Sequence, residues 1–195
     1  MDLTAEKALI EQARHDPEAF GTLFELYYRP IFNYTLKRVS HIEIAQDITS
    51  EVFYKAVKNL WKFTWKNISF SAWLYRIANN QIIDWYRSKK HISLDRLQAE
   101  SGYDLSDVRR FEKELIESEE KKLSEEIDVI TLHSYIVELP SKYQEVIVLK
   151  YFEKKKLSEI GEILNKKEGT VKSLVSRGLD KLKVIIEKHT PTQLL

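Results

Sequence analysis

Two carboxylates, Asp47 and Glu51, stand four residues apart in the stretch Ile42-Glu43-Ile44-Ala45-Gln46-Asp47-Ile48-Thr49-Ser50-Glu51-Val52-Phe53. A helix through it puts both on one face with apolar neighbours beside them. Such a pair could serve as general acid and base or ligate a metal. No third ligand completes either set, and a polar rim beside an apolar docking patch accounts for the pair better. His15, His41, His91, His133 and His189 follow no metal-ligand spacing, and the chain has no Cys. That removes disulfides, thiolate catalysis and Cys-based zinc together. No catalytic residue, metal or cofactor is expected.

A second group is richer. Lys62-Phe63-Thr64-Trp65-Lys66 is followed by Trp73, Tyr75, Arg76, Asn79, Asn80, Trp85, Tyr86, Arg87, Lys89 and Lys90, so aromatics, amides and cations share fewer than thirty residues. Rings can stack on unstacked bases, amides can meet base edges and cations can follow the backbone of a single strand. Against this, Phe70, Trp73, Leu74 and Ile77 fall at helical spacing and read better as core. A third group lies near the C-terminus, where Lys166, Lys167 and the amides around Gly169-Thr170 precede Lys172, Ser173, Ser176 and Arg177. A helix starting there offers its N-terminal end to phosphate and its Arg and Ser side chains to base edges, with Lys as a positioning contact.

The elements that must hold these groups are helices. Apolar residues recur at three- and four-residue spacing almost throughout, and the chain has five Gly and four Pro in 195 residues. Asp16-Pro17-Glu18 opens a helix with an N-cap carboxylate and a first-turn Pro, carrying Phe20, Leu23, Phe24, Tyr27, Ile31 and Phe32 on one broad face. A second helix is expected from about Ile44 to Lys62, with Ile44, Ile48, Val52, Phe53, Ala56 and Leu60 buried, and a third from Phe70 to Lys89 behind a capping Ser. In the last third, Ser141 and Gln144 have capping-box spacing ahead of Val146, Ile147, Leu149 and Tyr151. Two helices, Leu157 to Leu164 and Glu168 to about Ile186, flank the turn Asn165-Lys166-Lys167, where Asn tolerates the left-handed conformation. That is helix-turn-helix geometry. Gly161 permits the close crossing, and Ile160, Leu164, Val171, Leu174 or Val175, and Leu179 fill the core between the helices.

Charge divides the chain. Residues 1–90 carry a net +3, residues 91–135 a net −6 and residues 136–195 a net +4, within a total of +1. Two basic ends around an acidic middle suit two nucleic-acid-facing modules and a self-repelling connector. The expected organisation is an N-terminal helical domain over 1–90, an acidic flexible linker over 91–126, and a C-terminal helix-turn-helix domain over 127–195. With 43% hydrophobic residues and no apolar run near the ~20 needed to cross a bilayer, the chain reads as soluble, cytoplasmic and without membrane insertion.

Taken in order, these segments resemble one family. Asp16-Pro17-Glu18-Ala19-Phe20, Ala45 to Phe53, Phe70-Ser71-Ala72-Trp73-Leu74-Tyr75-Arg76-Ile77-Ala78-Asn79-Asn80 with Ile83-Asp84, Leu139-Pro140, Glu159 to Leu164 and Gly169-Thr170-Val171-Lys172-Ser173 are similar to the signatures of extracytoplasmic-function sigma factors. These are the small two-domain sigma subunits of bacterial RNA polymerase. The resemblance implies an all-α protein that is not an enzyme. It implies that Asp47, Ile48, Glu51, Val52 and Phe53 dock on the β′ clamp helices of polymerase core. Phe63, Trp65, Lys66, Arg76, Asn80, Arg87, Lys89 and Lys90 would face the −10 promoter element, with uptake of a flipped base helping to open the duplex. Lys167, Gly169, Thr170, Lys172, Ser173, Ser176 and Arg177 would read the −35 element, and an anti-sigma factor would mask the same faces. Four positions depart from the usual pattern: Asn79 and Leu174 stand where Arg is usual, Gly161 where Ala is common, and Lys166 where an apolar residue is common.

Overall fold

The structure is a computed structural model and describes residues 3–65, 68–91, 132 and 134–189. Among these residues all regular structure is helical. Helix α1 spans Leu3–Ala13, α2 Pro17–Val39, α3 Ile42–Asn59 and α4 Phe70–His91, with a 3₁₀ turn at Leu60–Lys62. After a helical turn at 134–137 come α5 (Ser141–Ile147), a wider π-helical segment at Val148–Phe152, α6 (Leu157–Leu164) and α7 (Glu168–His189). The expected linker over 91–126 lies outside the described residues, save for His91 at the end of α4.

Local chemistry sets the helix ends. Asp16 is extended, at φ −124° and ψ 111°, and its carboxylate accepts the Glu18 amide at 2.9 Å while Pro17 fills the first helical position. The helix stops at Ser40, whose φ of 54° is left-handed and whose N–H returns to the Leu36 carbonyl at 2.8 Å. Pro30 lies inside α2 without breaking it. Its missing amide orphans the carbonyl four residues back, at Leu26, on the exposed side of the helix where water can replace the bond. Ser69 caps α4 by accepting the Ala72 amide at 3.1 Å.

One departure matters beyond its size. Ser141 and Gln144 do not form a capping box: Ser141 is already the first residue of α5, and that helix start has no side-chain cap. Positions three apart share a helix face, and both side chains turn instead toward Arg38 of α2.

The N-terminal helices bury Leu23, Ile31 and Tyr34 of α2, Ala45, Val52 and Ala56 of α3, and Leu74, Ala78 and Ile82 of α4, all at 0% exposure. In the C-terminal half Val146, Val148, Leu149, Ile160 and Val171 are equally closed off. Two glycines mark close approaches. A Cβ at Gly161 would lie 2.7 Å from the Lys166 carbonyl, so the small residue serves the helix-turn-helix turn, which Asn165 closes at φ 52°. A Cβ at Gly178 would lie 3.2 Å from the Ile147 side chain, where α7 crosses α5. Leu179, expected in the core of the motif, is 40% exposed. Gly178 and Leu182 occupy the buried side of that turn instead.

Candidate nucleic-acid interface

In the C-terminal motif burial separates two sets of side chains. Val171 and Val175 point inward, while Lys167, Gly169, Thr170, Lys172, Ser173, Ser176 and Arg177 are all exposed. Ser173 Oγ donates to the Thr170 carbonyl at 2.9 Å, and the Thr170 amide donates to the Lys167 carbonyl at 2.9 Å, so that amide is turned into the helix rather than toward a ligand. Beyond the exposed Glu168 at the helix start, what remains outward on the first three turns of α7 is a strip of hydroxyl and cationic side chains, suited to phosphate and base edges.

The N-terminal group is split by burial. Trp65 is half-buried, with its ring edge-on to Phe63 at 5.5 Å and the Lys7 ammonium 5.3 Å from its centroid. Its indole N–H is enclosed without a hydrogen-bond partner. Phe63 itself is 3% exposed, packed against Phe70 and Trp73, and its carbonyl accepts from Arg14 Nη2 at 2.7 Å. The expectation that Phe63 offers a ring to a base is therefore corrected: aromatic packing makes it the floor of the loop. Asn80 and Arg87 are exposed, Arg87 pairing loosely with Asp84 at 3.4 Å. Lys66 lies outside the described residues, as do the side chains of Lys89 and Lys90.

Helix α3 divides likewise. Asp47 is exposed and Glu51 half-exposed, the latter 3.4 Å from Lys55. Ile48, Val52 and Phe53 are 8%, 0% and 4% exposed. They form the inward face that holds the helix to α2, where Phe53 meets Phe24 at 4.8 Å, and the expectation that they dock outward is corrected. The outward apolar residues are ones the sequence reading passed over: Tyr54, Val57 and Trp61 at 56%, 46% and 68% exposure. They follow one another at three- and four-residue spacing, with Lys58 over the Tyr54 ring and Lys62 over the Trp61 ring. That spacing was visible in the sequence, but the competing assignment of the same helix to core obscured which face was free.

Arg76 is half-buried and reaches across to α6. Its Nε donates to the Ile163 carbonyl at 3.4 Å and its Nη2 to the Glu162 carbonyl, at the C-terminal end of α6, where helix carbonyls lack partners and favour a cation. It forms the edge of a larger polar junction between the two halves of the chain. Arg38, 0% exposed, donates from Nε to Gln144 Oε1 at 2.8 Å and from Nη1 to the Tyr34 hydroxyl at 2.8 Å and Asn79 Oδ1 at 2.9 Å. Its Nη2 donates to Ser141 Oγ at 3.1 Å. Tyr34 donates to Asn79 Oδ1 at 3.1 Å, and Asn79 Nδ2 donates to Glu145 Oε2 at 3.3 Å. Nearby, Tyr75 donates to Glu153 Oε2 at 2.7 Å, Lys37 sits 3.6 Å from the same carboxylate, and Lys155 reaches Ser71 Oγ at 3.3 Å.

Burial shapes the electrostatics here. It pushes the Tyr34 hydroxyl up to about 12, partly opposed by Arg38, and raises Tyr75 well beyond the tyrosine range with help from Glu153. Both therefore act as proton donors at any physiological pH. Burial also raises the Glu145 carboxyl, against the pull of Arg38, Lys166 and the Asn79 bond. Among the described residues no group of three His, Asp or Glu could hold a metal ion, and no helix is long and apolar enough to cross a membrane.

The comparisons with known proteins fit this geometry. The family model described as Sigma-70 region 2 matches residues 23–92, and that described as Sigma-70, region 4 matches residues 130–182. The ECF RNA polymerase sigma factor SigW of Bacillus subtilis is 33% identical over 183 residues, covering 94% of this chain and 97% of that protein. RNA polymerase sigma factor SigZ of the same organism is 32% identical over 165 residues, with 85% of each covered. In fold, the chain is similar to CnrH, solved with the cytosolic domain of CnrY, at a TM-score of 0.68 and 19% identity over 95% of this chain and 99% of that one. It is also similar to the sigma factor RpoE of Bartonella quintana, solved with the anti-sigma factor NepR, at 0.62 and 17% identity over 88% and 98%. Two matched regions in order, on two helical units ending in a helix-turn-helix, settle the family: the chain belongs to the extracytoplasmic-function sigma factors of RNA polymerase.

Proposed function

We propose that this promoter-recognition subunit works through three separate outward surfaces, each with its own partner. The exposed carboxylates Asp47 and Glu51, continued by Tyr54, Val57 and Trp61, form the surface for the β′ clamp helices of polymerase core. Asn80 and Arg87, exposed on α4, serve the −10 element together with Trp65, Lys66, Lys89 and Lys90, and Arg76 joins them only where it leaves the α6 carbonyls. The α7 strip from Lys167 to Arg177 forms the −35 surface, with Lys172, Ser173 and Arg177 carrying the readout because Leu174 supplies no cation. The observation that supports this division most directly is that, between 169 and 177 on α7, Thr170, Lys172, Ser173, Ser176 and Arg177 are exposed while Val171 and Val175 are buried.

The chain makes and breaks no bond in this reading. Contacts to an unstacked base offset the few kcal/mol of unpairing, so recognition and strand opening are one event. An anti-sigma factor that covers the same surfaces is the regulatory partner; the similar RpoE was solved in complex with one, NepR. Asp47→Lys and Glu51→Lys test the first surface. Each should abolish co-elution with sigma-free polymerase core and leave the helical circular dichroism unchanged, since neither side chain is in the core. Retained co-elution in both variants would remove this surface from the proposal.

A further inference from the structure

Helix α1 and the turn after it lie ahead of residues 23–92, the stretch that the Sigma-70 region 2 model matches, and the three surfaces proposed above leave them without a role. They are nevertheless fastened to the loop that carries Phe63 and Trp65. Lys7, Glu11 and Arg14 succeed one another at four- and three-residue spacing, so they continue one face of α1 into the turn. That face meets the loop twice. Arg14 Nη2 donates to the Phe63 carbonyl at 2.7 Å, across 49 residues of sequence, and the Lys7 ammonium stands 5.3 Å from the Trp65 ring centroid. Glu11 takes the other side of the guanidinium: its Oε2 lies 2.9 Å from Arg14 Nη1, which fixes the direction in which Nη2 points. The face is held from behind as well. Ile10 and Ala13 are buried, Glu6 accepts from the Tyr27 hydroxyl, and Tyr27 meets Phe70 edge-on at 5.4 Å. At the end of α1, Gln12 Nε2 donates to Asp16 Oδ2 at 3.1 Å, and the other oxygen of that carboxylate caps α2.

We propose that Arg14 is a positioning residue for the −10 element: through the Phe63 carbonyl, and with Lys7 on the Trp65 ring, α1 braces the loop in the shape that takes up an unstacked base. The proposal rests on the reading of Trp65 as part of the −10 surface. Neither cation has to touch DNA. A carbonyl held by a fixed guanidinium restrains the peptide that bears it, and Phe63 is already seated on Phe70 and Trp73. A loop ordered in advance does not have to be ordered as the base arrives, so more of the contact energy is left to offset unpairing. The braced ring also carries an unused donor. Among the described residues, Trp65 Nε1 is one of three enclosed side-chain N or O atoms without a hydrogen-bond partner. Such donors are rare in folded proteins, and a base edge brings the carbonyl and ring-nitrogen acceptors that would satisfy it.

The test uses the full chain labelled with 5-fluorotryptophan, where Trp65→Phe and Trp85→Phe identify two of the four tryptophan resonances. Arg14→Met keeps the aliphatic stem and removes the donors. It should shift or broaden the Trp65 resonance and leave that of Trp85 in place. Assembled with polymerase core on a duplex promoter that the holoenzyme transcribes, it should lower strand opening at the −10 element about tenfold or more, the scale of one hydrogen bond to a charged group, at unchanged core affinity. Arg14→Lys, which restores a cation and one donor, should recover most of that loss. Where Arg14→Met loses helical circular dichroism, Lys7→Met, at an exposed side chain, is read for the same resonance and for a loss of opening of about two- to fivefold, the scale of an exposed cation–π pair. A Trp65 resonance unmoved in both variants, or a fall in core affinity as large as the fall in opening, would overturn the proposal. Trp65→Ala separates its failure from that of the underlying reading. Impaired opening in Trp65→Ala with normal opening in the Arg14 and Lys7 variants rejects the brace alone, whereas normal opening in Trp65→Ala as well rejects the assignment of the loop to the −10 element.

Discussion

Arg38 and Arg177 are the same side chain put to opposite uses. Arg38 is wholly enclosed and its guanidinium meets four side-chain acceptors, two of them more than 100 residues away in sequence. Arg177 stands exposed on α7, in a strip of polar residues that leaves core formation to Val171 and Val175. A buried cation has to find its partners inside the fold, so Arg38 specifies how the chain meets itself. An exposed one keeps its hydrogen-bonding capacity for something that arrives, which is the role proposed for Arg177.

The largest effect should come from removing the buried member. Arg38→Met leaves Gln144, Asn79 and Glu145 enclosed without their cation, and breaking a buried charged network at one partner costs about 3–5 kcal/mol. Urea unfolding followed by circular dichroism should show a midpoint lowered accordingly. Arg177→Ala should shift the same midpoint by no more than about 0.5 kcal/mol, the usual range for a surface change away from such features. Equal midpoints for the two variants would erase the distinction drawn here.

Arg177→Ala should be visible elsewhere. Loss of one good base contact is worth ~1–3 kcal/mol, so transcription from a promoter that uses this strip should fall between about five- and 160-fold, while affinity for polymerase core stays the same. A loss of core affinity as large as the loss of promoter use would show that α7 also serves the polymerase contact, and the division into separate surfaces would fail.

The exposed strip was legible in the sequence and the junction was not, for a physical reason. Helical periodicity and end signals act over four residues or fewer. They sufficed for the Asp16 cap, the Ser69 cap, the left-handed Asn165 and the outward face of α7. Arg38 reaches Asn79 across 41 residues and Gln144 across 106, distances over which spacing carries no information. Ser141 and Gln144 show how the local signal misleads: three residues apart suits a capping box, and it suits equally two side chains on one face reaching for a distant guanidinium. Phe63 failed in the same way. An aromatic residue in a loop next to Trp65 reads as a stacking platform until Phe70 and Trp73 are found packed against it. Trp61 drew no reading at all, because nothing local tells an exposed tryptophan from a buried one.

The smallest expected effect is also the finest probe of the junction, since it changes one proton and no contact. Glu145 is 5% exposed, and burial raises its carboxyl above the ordinary range near 4.3 despite Arg38, Lys166 and the Asn79 bond. A carboxyl raised on packing holds its proton more tightly in the packed state than when released to water. Its contribution to packing is therefore fully present below the ordinary glutamate range and is lost as pH rises through the raised value. Glu145→Gln keeps an oxygen for Asn79 Nδ2 but cannot titrate, so its thermal midpoint should decline less steeply over that interval than the midpoint of the unaltered chain. If Glu145→Gln and the unaltered chain keep parallel profiles, Glu145 is not the group whose protonation the junction feels, and its carboxylate is held as an ion by Arg38 more firmly than burial opposes it.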